Sequence, residues 1–117
     1  MRVLVVDDSA DIRFMLRFLL EDADMEVQEA RSGKEAIELL SGPHDVDAVV
    51  LDQRMPDLTG LEVAAELGGD HPPLILFSAY LHPTLLAEAE RTGVITVNKN
   101  DLNHLIEVLR NQEPCRV

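Results

Sequence analysis

Short apolar runs alternate with amphipathic stretches along the chain, and this alternation predicts βαβ units on a parallel sheet. Runs of apolar and β-branched residues predict strands at 3–6, 25–30, 48–51, 74–77 and 94–97. Apolar residues at helical spacing predict helices at 10–23, from 32 to about 40, from 59 to the glycines at 68–69, at 84–91 and at 101–110. The chain is therefore predicted to be an α/β protein in which strands and helices alternate strictly.

Local sequence also indicates where helices begin and which strands are central. Ser32 and Glu35 have the spacing of a capping box, and so do Thr59 and Glu62. The run at 48–51 is apolar on both faces, which predicts a central strand, whereas the more polar run at 25–30 predicts an edge strand. Because parallel crossovers are right-handed, such a chain forms a doubly wound sheet with helices on both faces. Ligands of these sheets bind at the carboxyl ends of the strands.

Four of the five predicted strands deliver a charged or hydroxylic side chain to that edge. The first strand runs into Asp7 and Asp8, the third into Asp52, and the fourth into Ser78. Lys99, the second of two lysines in the chain, follows the fifth strand after one residue. Polar residues often follow strands because loops are solvated, but that explanation does not account well for all of these positions together.

These residue types fit the chemistry of phosphoryl transfer. Three neighbouring carboxylates repel one another, and a hard divalent cation such as Mg²⁺ relieves the repulsion while leaving coordination positions for phosphate oxygens. A carboxylate is also a competent nucleophile toward phosphorus. Lys99 and the Ser78 hydroxyl would then stabilise the charge on the transferring group.

The chain resembles the receiver domain of bacterial two-component response regulators over its whole length. Four blocks carry the resemblance in the same order and spacing: Val-Leu-Val-Val-Asp7-Asp8, Leu-Asp52-Gln-Arg-Met-Pro56-Asp-Leu-Thr-Gly60, Leu-Phe-Ser78-Ala79, and Lys99. The resemblance implies a single receiver domain at 1–117 with a flavodoxin-like fold, five parallel strands in the order 2-1-3-4-5 and five alternating helices.

The resemblance also implies a function and the residues that perform it. Asp52 would accept a phosphoryl group from a sensor histidine kinase or a histidine phosphotransfer protein. Asp8 would bind Mg²⁺ directly, Asp7 partly through water, and the Arg54 carbonyl would be a further ligand, together with Asp52. The protein would be a signalling phosphoprotein rather than an enzyme, with only self-directed phosphotransfer and slow self-dephosphorylation. A conformational change would pass the signal to an unidentified protein target.

The sequence departs from the receiver pattern at two positions. Receivers usually carry proline after the lysine and an aromatic residue three positions before it, where this chain has Asn100 and Thr96. Asn100 removes a rigid turn, and Thr96 replaces the aromatic residue that usually takes part in the conformational switch. Tyr80 is the candidate substitute for that aromatic residue.

Composition narrows the range of partners. The formal net charge of −12, from 22 acidic and 10 basic residues, repels phosphate backbones, so we expect protein partners and no direct nucleic-acid binding. The apolar run at 3–6 is too short for a signal peptide or a membrane span, which predicts a cytoplasmic protein without membrane contact. Cys115, the single cysteine, excludes an intramolecular disulfide.

Phe14 and Phe18 form a second feature near the predicted site. At about 100° per residue, Phe14 lies some 200° around its helix from Ile12, away from the apolar stripe. The two rings either fold over neighbouring aliphatic surface or form an exposed pair beside the acidic site. In receivers this helix commonly packs against the phosphodonor, which favours an exposed docking pair.

Three alternative functions compete with this interpretation. A phosphohydrolase of the haloacid dehalogenase type would need Asp-x-Asp after the first strand, but Asp7 and Asp8 are adjacent. A degenerate receiver that only binds partners is disfavoured because the acidic residues, Ser78 and Lys99 are present. A flavin-binding electron carrier would need a hydroxyl-rich loop at 7–11, and this loop is acidic.

Overall fold

The structure, a computed structural model, describes residues 1–69 and 71–112. Cys115 therefore lies outside the described residues. The strands are β1 (Arg2–Val6), β2 (Glu26–Ala30), β3 (Ala48–Leu51), β4 (Leu74–Ser78) and β5 (Ile95–Asn98). The helices are α1 (Ala10–Asp22), α2 (Gly33–Ser41), α3 (Gly60–Leu67), α4 (Pro83–Arg91) and α5 (Leu102–Asn111). None of the helices in the described ranges is long and apolar enough to cross a membrane.

The five strands form one parallel sheet in the order β2-β1-β3-β4-β5. This order confirms the predicted fold, with the polar strand β2 at an edge and the apolar strand β3 in the centre. The capping box of Thr59 and Glu62 is also confirmed, since each side chain accepts a hydrogen bond from the other residue's backbone N–H. The observed chain order brings the ends of β1, β3, β4 and β5 to one edge.

The sheet has an apolar core on each face. Alternate residues of the central strands point to opposite faces, as the pleat requires. Helices α1 and α5 cover one face, where Leu16, Leu20 and Leu105 are buried against the sheet. Helices α2, α3 and α4 cover the other face, with Val63 and Leu85 among their buried residues. Burying apolar surface on both sides stabilises the sheet that positions the polar strand ends.

Element boundaries differ from the predicted ones by a residue or two. Strand β5 begins at Ile95 rather than Val94, because the N–H of Val94 donates to the carbonyl of Ala89 at the end of α4 (2.9 Å). Ser78 is the last residue of β4 rather than the first after it. Helix α4 begins at Pro83 and is capped by His82, whose Nδ1 accepts from the backbone N–H of Leu85. Strand β5 ends at Asn98 rather than at 97, so Lys99 follows its strand directly.

Candidate functional site

Backbone hydrogen bonds fix three of the predicted site residues to the sheet. The N–H groups of Asp7, Asp52 and Lys99 donate to carbonyls of the neighbouring strands at 3.2, 3.1 and 3.0 Å. Each of these bonds continues a strand ladder by one step beyond the strand end. The three side chains therefore leave from backbone that is held as firmly as the sheet itself.

Three carboxylates meet at this edge. Oxygen atoms of Asp7, Asp8 and Asp52 all lie within 4.8 Å of one another. The side chain of Asp7 is 5% exposed and that of Asp52 is 11% exposed, whereas Asp8 is exposed to solvent. Burial raises the pKa of Asp7, because an ionised carboxylate is poorly solvated there; the N–H of Ser9 and the charge of Lys99 oppose this effect. The cluster thus concentrates negative charge where two of the three carboxylates are largely shielded from solvent.

Lys99 lies between the two buried carboxylates. Its Nζ is 3.3 Å from Oδ2 of Asp52 and 3.5 Å from Oδ2 of Asp7. The ammonium group partly compensates the repulsion between the carboxylates, and it lies within reach of a group bound on Asp52. The predicted convergence of Asp7, Asp52 and Lys99 is therefore what the structure contains.

A small cleft of about 160 Å³ opens beside Asp52. Besides Asp52, its lining contains two hydroxyl groups, two cations and one small apolar side chain, which lie at or after the ends of three strands: Arg54, Ser78, Ala79, Tyr80 and Lys99. Larger hollows of the described surface lie at the opposite edge, where β1 and β2 begin and before β4. The chemistry of the lining, rather than its volume, identifies the small cleft as the candidate site.

The loop after β4 forms the outer wall of the cleft. Ser78 is buried, and its Oγ accepts a long hydrogen bond from the N–H of Tyr80 (3.4 Å). The Tyr80 side chain is 64% exposed, and its ring centroid lies 5.4 Å from that of His82. Thr96, on β5, is half-buried and pairs with Leu76 in the sheet. The aromatic residue of this region therefore lies outside the protein core.

Gly60 allows α3 to approach the backbone of Asp52 closely. A Cβ at this position would lie 2.8 Å from the carbonyl oxygen of Asp52 and 2.5 Å from Cδ1 of Leu76. Gln53 reinforces the approach, because its carbonyl accepts from the N–H of Gly60 and its Oε1 accepts from the N–H of Leu61. A residue without a side chain is needed here so that the loop carrying Arg54 can fold tightly against α3.

Sequence reasoning missed Arg13, which is buried beside the site. Its Nη1 donates to the backbone carbonyl of Asp7 (2.7 Å), and its Nε donates to Oε1 of Glu29 (3.1 Å). A signal was available, because Arg13 precedes Leu16 and Leu20 by three and seven residues and so shares their buried face of α1. A charged residue on an apolar face requires buried polar partners.

The turn after β5 is closed without proline. Oδ1 of Asn98 accepts from the N–H of Asn100 (2.8 Å), and the carbonyl of Asn98 accepts from the N–H of Asp101 (2.9 Å). Asn98 thus forms an Asx turn, in which a side chain replaces a backbone acceptor. The predicted loss of a rigid turn at Asn100 is offset by these two bonds.

The donor set at this edge fits a hard divalent cation. Three carboxylates within 4.8 Å offer only oxygen ligands, which is the preference of Mg²⁺. Asp8 is the exposed member of the cluster and is therefore accessible to a hydrated ion. Arg54 is exposed and lines the cleft next to Asp52.

Comparisons with known proteins agree with this geometry. A family model described as response regulator receiver domain matches residues 3–110. Response regulator MprA of Mycolicibacterium vanbaalenii is 42% identical over 80 residues, which cover 67% of this chain and 34% of that protein. Regulatory protein AtoC of Escherichia coli is 32% identical over 108 residues, which cover 89% of this chain and 23% of that protein. The chain thus spans about a third or less of the length of these curated relatives.

Solved structures share the fold. Response regulator TrrA of Thermotoga maritima, in complex with Mg²⁺-BeF, superposes with a TM-score of 0.82 at 32% identity, covering 96% of this chain and 98% of that one. Chemotaxis protein CheY4 of Vibrio cholerae superposes with a TM-score of 0.80 at 26% identity, with the same coverage of 96% and 98%.

Proposed function

The chain belongs to the response regulator receiver domain family of two-component systems, and from that premise we propose that Asp52 accepts a phosphoryl group. One observation carries the proposal: Asp52 is the residue shared by the carboxylate cluster and by the cleft that contains Ser78 and Lys99. A nucleophile is thereby placed between a site for a cation and the groups that would hold phosphoryl oxygens.

The proposed reaction moves one phosphoryl group and needs no redox partner. A carboxylate oxygen of Asp52 attacks the phosphorus atom, forming an acyl phosphate. The bond from phosphorus to the donor breaks, and the leaving imidazole nitrogen of a phosphohistidine, or the carboxylate oxygen of acetyl phosphate, keeps the electron pair. Water later attacks the phosphorus, which restores the carboxylate and releases inorganic phosphate.

Lys99 and Ser78 would stabilise the charge that develops on the phosphoryl oxygens. Nζ of Lys99 already lies 3.3 Å from Asp52, so it needs little movement to pair with a group bound there. The Ser78 hydroxyl accepts from Tyr80 and has its own proton free to donate to a phosphoryl oxygen. Both act as preorganised electrostatic groups rather than as acids or bases.

We assign Mg²⁺ to the carboxylate cluster, with Asp8 as a direct ligand, Asp7 partly through water, and Asp52 and the carbonyl of Arg54 completing the protein ligands. When bound, Mg²⁺ neutralises charge on the incoming phosphoryl group and on the carboxylates. Support comes from the oxygen-only donor set and from the related TrrA structure, which holds Mg²⁺-BeF.

Signalling would start at the loop after β4. A phosphoryl group on Asp52 draws the Ser78 hydroxyl toward it, which weakens the long bond from the N–H of Tyr80. Thr96 is too small to fill space vacated by Ser78, so Tyr80 would move instead, and its exposed ring would carry the change to a protein partner.

The phosphodonor would be a histidine kinase or a histidine phosphotransfer protein that docks on α1. Phe14 and Phe18 are 73% and 71% exposed, as an aromatic docking pair requires. The net charge of −12 supports protein partners rather than nucleic acid for this chain.

Labelling with acetyl phosphate in Mg²⁺, followed by intact-mass measurement, tests the acceptor. Wild type should gain one phosphoryl group and Asp52→Ala should gain none, because the nucleophile is missing. Asp11→Ala, an exposed acidic residue in the first turn of α1, is the matched control and should label like wild type. Equal labelling of wild type and Asp52→Ala would disprove the assignment.

A further inference from the structure

Arg13 is a buried charged side chain of α1 that the proposed phosphoryl chemistry does not use. The residue is only 9% exposed, although a guanidinium is always charged and costly to desolvate. Two hydrogen-bond acceptors offset the cost of burying this charge: the carbonyl of Asp7 at 2.7 Å and the carboxylate of Glu29 at 3.1 Å. The first of these contacts joins Arg13 to the carboxylate cluster.

Glu29 connects Arg13 to a second arginine one turn further along α1. Oε1 of Glu29 accepts from Arg13, and Oε2 accepts from Nε of Arg17 at 2.8 Å. The Arg17 side chain is 37% exposed and also lies 3.5 Å from Glu21. Both arginines therefore bind Glu29, and Arg13 is the one that also donates to the backbone carbonyl of Asp7.

The contact with Asp7 fixes the peptide plane from which two carboxylates leave. The Cα atoms of Asp7 and Asp8 and the Asp7 carbonyl oxygen lie in one plane, because the peptide bond is planar. The N–H of Asp7 is bound to the sheet, and Oδ1 of Asp7 accepts from the N–H of Ser9 at 2.9 Å. Holding the carbonyl as well sets the rotation of the Asp7–Asp8 peptide, and with it the direction of the exposed Asp8 side chain.

We propose that Arg13 is a positioning residue for the metal site, which orients the Asp7–Asp8 peptide so that both carboxylates face the ion. This inference rests on the proposed Mg²⁺ site. Loss of such an outer partner typically weakens metal binding by about 10-fold or more. Mg²⁺ tolerates little distortion of its coordination geometry, so its affinity is a sensitive measure of this orientation.

Positioning and simple charge make opposite predictions for Arg13. A nearby positive charge repels Mg²⁺, so removing it without any change in geometry should tighten metal binding. Removing a positioning contact should weaken it. Arg17→Met also removes one positive charge from α1 and one ion pair with Glu29, but it leaves the hydrogen bond from Arg13 to the Asp7 carbonyl in place. It is therefore the matched control.

Titration of the full chain with Mg²⁺, followed by amide NMR shifts, measures the dissociation constant for wild type, Arg13→Met, Arg13→Lys and Arg17→Met. We expect the constant to rise about 10-fold in Arg13→Met and to stay within about twofold of wild type in Arg17→Met. Arg13→Lys keeps the charge but cannot hold both acceptors, so it should also bind more weakly than Arg17→Met. Labelling by acetyl phosphate at saturating Mg²⁺ should recover in both Arg13 variants.

Thermal melting in chelator separates positioning from folding. Arg13→Met loses a buried ion pair, so Arg13→Lys carries the test if the methionine variant does not fold. Binding of Mg²⁺ by Arg13→Lys as tight as by Arg17→Met would overturn the positioning role alone. Failure of the wild type to bind Mg²⁺ would overturn the metal site, and the positioning role with it.

Discussion

The two sides of the site differ in how firmly the chain holds them. On the carboxylate side, made of Asp7, Asp8 and Arg13, the N–H, the carbonyl and one carboxylate oxygen of Asp7 are each hydrogen-bonded at 3.2 Å or less. On the loop side, made of Ser78, Ala79 and Tyr80, the hydrogen bond from Tyr80 to Ser78 is 3.4 Å long. Tyr80 is 64% exposed there, whereas the Asp7 side chain is 5% exposed.

For the proposed function, this difference would separate the phosphoryl chemistry from signalling within one edge of the sheet. A metal site works best when its ligands are already oriented, because reorganising them costs binding free energy. A switch needs a segment with few buried contacts, because such a segment changes conformation at a low free-energy cost. The carboxylate side has the first property and the loop side has the second.

Lys99 spans both sides, so its removal should have the largest effect. In Lys99→Met, the rate of labelling by acetyl phosphate at saturating Mg²⁺ should fall by about 100-fold, since one preorganised charge on the phosphoryl oxygens is lost. Initial rates from intact mass measure this. Lys34→Met removes the other lysine, which is exposed on α2, and should label at the wild-type rate. A rate for Lys99→Met close to that of Lys34→Met would contradict the electrostatic role.

Replacing the aromatic pair on α1 should affect the protein phosphodonor but not the chemistry. In Phe14→Ala with Phe18→Ala, transfer from a phosphorylated histidine-containing donor should fall by about 10-fold or more, as for loss of an aromatic hot spot. Labelling by acetyl phosphate should not change. Leu86→Ala, an exposed apolar residue of α4, is the matched control and should leave both rates intact. A large loss of thermal stability in the double variant would instead indicate core packing.

Removing the two bulky side chains that line the cleft should shorten the lifetime of the proposed acyl phosphate. Arg54 and Tyr80 both line the cleft around Asp52, where their side chains would narrow the path of a water that attacks the phosphoryl group. We expect Arg54→Ala with Tyr80→Ala to lose phosphate a few-fold faster than wild type. Following the release of inorganic phosphate after removal of the donor measures this. An unchanged or slower loss would show that the two side chains do not shield the phosphoryl group.

The smallest expected effect is on the pH dependence of stability in chelator. Burial raises the pKa of Asp7, so the folded state binds that proton more tightly than the unfolded state. Stability should therefore rise as the pH falls through this raised pKa toward the ordinary carboxyl range. The pKa of Asp57 is lowered, chiefly by the hydrogen bond from the N–H of Lys34 and also by that from Gly33. Asp57 therefore contributes to the free energy of unfolding above its ordinary pKa. This contribution is lost as the pH falls through the pKa of the folded state.

Denaturant titrations across the acidic range distinguish the two carboxylates. Asp7→Asn should remove the gain in unfolding free energy on mild acidification, and Asp57→Asn should reduce the loss at lower pH. Identical pH profiles for Asp7→Asn and wild type would show that burial of Asp7 does not destabilise the metal-free fold.

The sequence predicted the features that depend on local pattern or on strand ends. The capping box at Thr59 and the convergence of three aspartates with Lys99 follow from spacing and from the geometry of parallel sheets. Spacing left two alternatives for Phe14 and Phe18, and the resemblance to receivers favoured the exposed one, which the structure has. Contacts with backbone atoms could not be predicted in the same way. The partner of Arg13 is a carbonyl, which any residue supplies, and Glu29 is 16 positions away.

The turn after β5 is a second feature that the sequence pattern alone could not predict. The sequence shows only that Asn100 stands where receivers usually have proline. Whether the turn survives depends on Asn98, whose side chain takes over the acceptor role when the N–H of Asn100 is available. A proline at 100 would lack that N–H. The two residues therefore have to be considered as a pair, which pattern-based prediction of elements does not do.

Because the strand ladders extend by one step into the site, we expect the backbone of the site to unfold at the same temperature as the sheet. The amide protons of Asp7, Asp52 and Lys99 are bound within the ladders, so we expect them to exchange with solvent only when the sheet itself opens. Heating should then leave the capacity for phosphorylation intact until cooperative melting begins. On heating, such a receiver would lose the conformation of the loop after β4 before it lost the ability to be phosphorylated. It would then still carry a phosphoryl group on Asp52 without passing the signal to a partner.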